Sequence, residues 1–134
     1  MGLLSNISET LNKYSKKNQF VMGKLEEDFE HLFNFVISGN FAIAQLQLKE
    51  NTDINFKNSS KSTLLITTCR SKANEKEILN FVKFLLNKGA YIMKKDSSGR
   101  TAVDYCEQNK LFQVKMLLCK TLDSIIMDNI ADFF

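Results

Sequence analysis

Three stretches decide the fold: Asn87-Lys88-Gly89-Ala90-Tyr91-Ile92, Asp96-Ser97-Ser98-Gly99-Arg100-Thr101-Ala102-Val103-Asp104 and Val114-Lys115-Met116-Leu117-Leu118. Between Lys88 and Leu118 the chain closes one helical unit and opens the next. Phe84-Leu85-Leu86 runs into Gly89, a residue suited to the left-handed backbone that ends a helix. Asp96 to Asp104 carries the Asp, Ser and Gly of a turn, and Val114 to Leu118 ends a second helical pair. The register recurs upstream. Asp53-Ile54-Asn55-Phe56-Lys57-Asn58 corresponds to Tyr91-Ile92-Met93-Lys94-Lys95-Asp96, which places two unit starts 96 − 58 = 38 residues apart. Ser62-Thr63-Leu64-Leu65 begins a first helix ending near Cys69-Arg70, and Ile78 to Leu86 forms the second. The polar run Ser71 to Glu77 between them reads as a surface loop. Further back, Phe29 to Val36 and Phe41 to Leu48 flank Ser38-Gly39-Asn40, a helix-turn-helix with Gly where the first helix must end.

These residues resemble the ankyrin repeat, whose signature runs D-x-x-G-x-T-P-L-H-x-A-A and closes on a helix ending L-L-x-x-G-A. Asp96, Gly99, Thr101 and Val103 match it, Ala102 and Asp104 replace the Pro and His, and Phe84 to Ala90 matches the helix end. The resemblance implies an all-α solenoid of stacked helix-turn-helix units with terminal capping helices. Its usual period is about 33 residues, and the surplus here is assigned to Ser71 to Glu77. No Pro occurs in the chain, so the first-helix starts are expected to lack the stiffening of Thr-Pro and to be looser.

The expected organisation is a single domain: an N-terminal cap over 1–24, repeats over 25–57, 58–95 and 96–122, and a C-terminal cap over 123–134. With 134 residues, 44% of them hydrophobic, the chain can bury a core. Each repeat hides its apolar face only against a neighbour, so three repeats need covered ends. Leu3, Leu4, Ile7, Leu11 and Tyr14 recur at helical spacing opposite Lys13, Lys16 and Lys17; Ile126, Ile130, Phe133 and Phe134 do so opposite Asp123, Asp128 and Asp132. Both segments read as caps.

Chemistry-bearing patterns are sparse. The three cysteines have no disulfide spacing, and the resemblance puts Cys69 and Cys106 where the family places small Ala residues in its core. They read as buried small hydrophobes in a cytoplasmic protein. No stretch is long and apolar enough to span a membrane, and no signal peptide is visible. His31, the one histidine, stands four residues after Glu27, half of a metal site at most, and the acidic run before it reads as a helix first turn. Gly39, Gly89 and Gly99 are explained singly by turns rather than as a phosphate loop. The reading is of a non-enzymatic chain with no cofactor, no metal and no small-molecule substrate.

A surface remains. By resemblance, the partner lies in the concave groove made by turn tips and first helices, which maps here to Phe56, Lys57 and Lys61 at one tip and to Lys94, Lys95 and Arg100 at the next. The first-helix faces add Asn34 and Ile37, then Arg70, then Tyr105, Gln108 and Asn109. Six of these twelve are Lys or Arg and none is acidic, although the formal net charge is only +3. Such a face suits an acidic protein partner and would speed its encounter. Tyr105 and Ile37 are expected as anchors within the groove. The expected function is protein binding by occlusion, as an inhibitor, a toxin neutraliser or a host-mimicking effector. The alternative is a membrane-adjacent adaptor using the N-terminal helix, marginal with its few charges and apolar residues. Nucleic acid is disfavoured, because few aromatic residues interleave with the charges and the pI is near 8.7.

Overall fold

A computed structural model describes residues 22–48 and 53–131, with side chains from 30 to 130 within those ranges. The N-terminal segment read as a cap, or as a lipid-facing helix, lies outside the described residues up to Val21. Six helices occur among the described residues: α1 (Met22–Ile37), α2 (Phe41–Gln47), α3 (Leu64–Cys69), α4 (Glu75–Asn87), α5 (Ala102–Gln108) and α6 (Phe112–Ala131). No strand is present among them.

The helices form two layers. α1, α3 and α5 pack in sequence as one layer, α6 packs on α4 in the other, and each first helix packs on the second helix of its own unit. Aromatic rings tie α2 into the second layer: Phe41 stacks on Phe81 with centroids 4.7 Å apart, and Phe81 stacks on Phe84 at 5.6 Å. The core runs continuously from Leu32, Phe33 and Val36 through Leu64 to Ile66, Phe81 and Leu85 to Val114 and Leu118.

Sequence explains where each helix begins. Thr63 accepts a hydrogen bond from the Ile66 N–H, and Asn74 accepts one from the Glu77 N–H at 2.9 Å. At α5 the Thr101 hydroxyl accepts from the Asp104 N–H while the Asp104 carboxylate accepts from the Thr101 N–H, a reciprocal capping box. The first-helix starts of the second and third units, which lack Pro, are therefore fixed by side-chain caps. The turn tips share one design. Asn58 Oδ1 accepts from the N–H groups of Ser60 and Ser62, and Asp96 Oδ1 accepts from those of Ser98 and Arg100. Lys61 (φ 59°) occupies the left-handed position that Gly99 (φ 76°) fills in the next tip.

Adjacent units are stitched by hydrogen bonds as well as by apolar contact. Asn55 donates to the Gly89 carbonyl and accepts from the Tyr91 N–H, binding the first unit's exit to the second's. The Ser97 N–H donates to the Ser60 carbonyl from tip to tip, and the Gln113 N–H donates to Glu75. Cys69 and Cys106 are both fully buried where α3 meets α5, with Sγ atoms 3.4 Å apart. The contact with Cys106, together with burial, holds the Cys69 thiol well above its usual range. They pack as small hydrophobes.

Three expectations are corrected. Ser71 to Glu77 is not one loop, because Asn74 caps a helix that already includes Glu75, Lys76 and Glu77. The surplus over the usual period thus goes partly into the first turn of α4. The boundary drawn between 24 and 25 falls inside α1, and the one between 122 and 123 falls inside α6. The segment from Asp123 is a continuation of α6 that runs past the core, and its residues are exposed on every side up to Ile130. Within the described residues it covers no part of the core: Leu118 and Val114, about one and a half and two and a half turns before Asp123, are its last fully buried residues, and Asp132, Phe133 and Phe134 of the expected cap lie outside the described residues.

The left-handed positions give a paired prediction. At Gly39 (φ +88°) an added Cβ would stand 3.1 Å from the Ala73 Cβ, so Gly39→Ala meets both strain and crowding. It should lower stability by about 1–2 kcal/mol in urea titrations. Lys61→Gly relieves a strained tip and should leave stability unchanged or raise it by up to about 1 kcal/mol. Equal losses from both changes would contradict this account of the turns.

Candidate functional site

The turn tips and first helices bring four of the twelve residues singled out from the sequence into one cluster around Tyr105. α5 carries Tyr105 and Gln108, the tip before it carries Arg100, and Arg70 caps the end of α3. The Arg70 guanidinium lies 5.0 Å from the Tyr105 ring centroid and that of Arg100 lies 5.9 Å from it. Arg100 also donates to Gln108 Oε1 at 2.7 Å. Both arginines are exposed, whereas Tyr105 is only 6% exposed. Tyr105 is therefore not a free anchor. Its ring is the floor on which the guanidiniums rest, an arrangement favoured by the negative face of the ring.

Beneath the floor lies a buried acid. The Tyr105 hydroxyl donates to Asp96 Oδ2, whose other oxygen holds the tip through Ser98 and Arg100. Burial alone would raise the Asp96 pKa. It is outweighed by the hydrogen bonds from Tyr105, Arg100 and Ser98 and by the charge of Arg70, and the carboxyl is held below its ordinary value. The same bond, with burial and the Asp96 charge, raises the Tyr105 phenol above its ordinary value despite the two arginines. Among the described residues neither arginine forms an ion pair within 4.0 Å, and the one such pair is Lys115 with Glu107, at 3.6 Å.

The other expected site residues scatter. Lys57 donates to the Lys95 carbonyl at 3.0 Å, so two of the basic tip residues are joined through backbone and side chain. Lys94 lies over Tyr91, with its Nζ 5.5 Å from the ring centroid. Asn109 donates to the Cys69 carbonyl across the unit boundary, a structural use of a side chain assigned to the partner. Phe56 is half-buried with its ring edge-to-face on Phe33, and Ile37 is half-buried with its carbonyl accepting from the Lys72 N–H. Asn34 and Lys61 are exposed. The sequence reading missed Tyr91, which is 60% exposed beside Lys94, and the pairing of Asp96 with Tyr105.

The Asp96–Tyr105 pair makes stability depend on pH at both ends. The folded Asp96 pKa lies below its unfolded value, so its contribution is present above about pH 4 and is lost as pH falls through the folded value. The folded Tyr105 pKa lies above its unfolded value, so its contribution is present below about pH 10 and is lost as pH rises through the folded value. Asp96→Asn should fold, since Asn58 does the same work in the preceding tip, and should show a flatter loss of urea stability in acid. Tyr105→Phe should cost about 1–2 kcal/mol at neutral pH and flatten the alkaline limb. Unchanged pH profiles for both variants would remove the pair from the account.

Residues 32–128 match the family model described as "Ankyrin repeats (3 copies)". Among solved structures that match is the crystal structure of EF0377, an ankyrin repeat protein, with a TM-score of 0.57 and 30% sequence identity. The match covers 66% of this chain, which spans 45% of that one. No curated protein matches the chain. Ankyrin repeats are in general protein–protein interaction modules, typically without enzymatic activity, and no helix among the described residues is long and apolar enough to cross a membrane. With its two helical layers, repeated tips and three matched copies, the chain belongs to the ankyrin-repeat family.

Proposed function

We propose that this protein binds an acidic segment of a partner protein on the side built by its turn tips and first helices, and acts by covering it. The observation that carries this reading is the pair of exposed guanidiniums on Tyr105, with no carboxylate within ion-pairing distance among the described residues. Guanidiniums present several donors in a plane and match carboxylates two bonds at a time. Arg70 and Arg100 are positioned before a ligand arrives, so less side-chain freedom is lost on binding. Lys57, Lys94 and Lys95 extend the positive face along the tips and would act mainly on the rate of encounter. Occlusion of an enzyme or toxin by such a face is the simplest mechanism open to a small stack of repeats.

A photo-crosslinking residue placed at Gln108, beside the arginines, should capture an acidic protein in the native cell, whereas the same residue at the exposed Lys83 on α4 should not. Arg70→Glu with Arg100→Glu should abolish the Gln108 adduct while leaving the circular dichroism spectrum intact. An adduct that survives both reversals, or one formed only from position 83, would refute the proposal.

A further inference from the structure

The outward side of α6 carries a stripe that is apolar except at Asp123 and largely exposed among the described residues. Phe112, Met116, Cys119, Asp123, Ile126 and Ile130 follow one another at alternating steps of four and three residues. At 3.6 residues per turn they occupy an arc of about 80°. Val114 and Leu118 lie on the opposite side and are fully buried, so this stripe faces away from the core. Phe112, Met116, Ile126 and Ile130 are 62%, 58%, 52% and 43% exposed. A four-three repeat is the seam of paired helices, and a stripe of large apolar side chains in solvent marks an interaction surface.

The charges say what kind of helix would cover it. The first half of α6 carries Lys115 and Lys120, and the second half carries Asp123 and Asp128. No acid stands in the first turn and no base in the last. This order is the reverse of what the helix dipole favours. An antiparallel helix of the same sequence would oppose the dipole and bring its Asp123 beside Lys120 at the edge of the stripe, while Lys115 stays paired with Glu107. With the two-fold axis near Thr121, Phe112 meets the second copy's Ile130, Met116 meets its Ile126, and Lys120 comes level with its Asp123. The half of α6 that runs past its own core then lies over the other copy's body, and the mismatch of exposed apolar residues on both is resolved together.

We infer that the protein forms an antiparallel homodimer through the outer face of α6. The test is sedimentation equilibrium of the full chain over a range from about 1 to 500 µM, which spans the association strengths typical of a small helical interface. The wild type should show a reversible monomer–dimer equilibrium. Met116→Lys and Lys120→Glu should each weaken association by tenfold or more, the latter by setting acid against Asp123. Lys120→Glu combined with Asp123→Lys should restore it, because the reversed charges again face each other in the antiparallel register. Circular dichroism confirms the fold of each variant.

A chain that stays monomeric at 500 µM overturns the inference, whether its stripe is covered by residues 1–21, by a different protein or by lipid. A dimer that ignores all three substitutions overturns it too. A dimer weakened by Lys120→Glu but not rescued by the double reversal overturns the antiparallel register.

Discussion

Everything in this structure depends on the complete enclosure of α3. All of its residues, Leu64 to Cys69, are buried, although the helix is only six residues long and would not persist alone in water. α1, α4 and α5 surround it. Such a helix can contain polar residues only if each is satisfied within the helix, and it does: the Thr67 hydroxyl donates to the Thr63 carbonyl at 2.9 Å and that of Thr68 to the Leu64 carbonyl at 2.7 Å. Neither outer unit has a comparably enclosed helix among the described residues.

That enclosure also sets the geometry of the side built by the turn tips and first helices. Arg70 stands at the end of α3 and Arg100 at the tip before α5, so their meeting on the Tyr105 ring is a direct consequence of how the second and third units stack. Hydrogen bonds across the same boundary, from Asn109 to Cys69 and from Ser97 to Ser60, hold that stacking in register. Asp96 links the two levels. Its carboxylate fixes the tip that aims Arg100 and accepts the hydroxyl of the ring on which both arginines rest. A buried charge thereby orders a surface cluster.

Much of the fold was legible because turns are chemically explicit. Gly39, Gly89 and Gly99 all adopt the left-handed backbone that their positions suggested, and Cys69 and Cys106 are buried as the family register implies. Polar composition misled at Ser71 to Glu77, since Lys and Glu are as common in an exposed first turn as in a loop. The signal was nonetheless present in Asn74 followed three residues later by Glu77. The apolar spacing near the C-terminus identified a helix but not its direction of burial, because periodicity finds a face without saying what that face meets. Of the candidate site, the position of the basic residues in the tips could be read from sequence, while the burial of Tyr105 beneath two arginines could not. Its burial depends on Asp96, nine residues earlier, and on Arg70, in another unit.

Native-state hydrogen exchange tests most directly whether the enclosed α3 governs the whole. If it does, the amides from Thr67 to Cys69 open only when the entire protein unfolds, and their exchange free energies equal the global value from denaturation. Amides from Ser124 to Ile130, in the part of α6 that leaves the core, should exchange through openings that cost far less. Exchange of the α3 amides through a partial opening well below the global free energy would contradict the account, because the stack would then come apart without its middle helix being its last element to open.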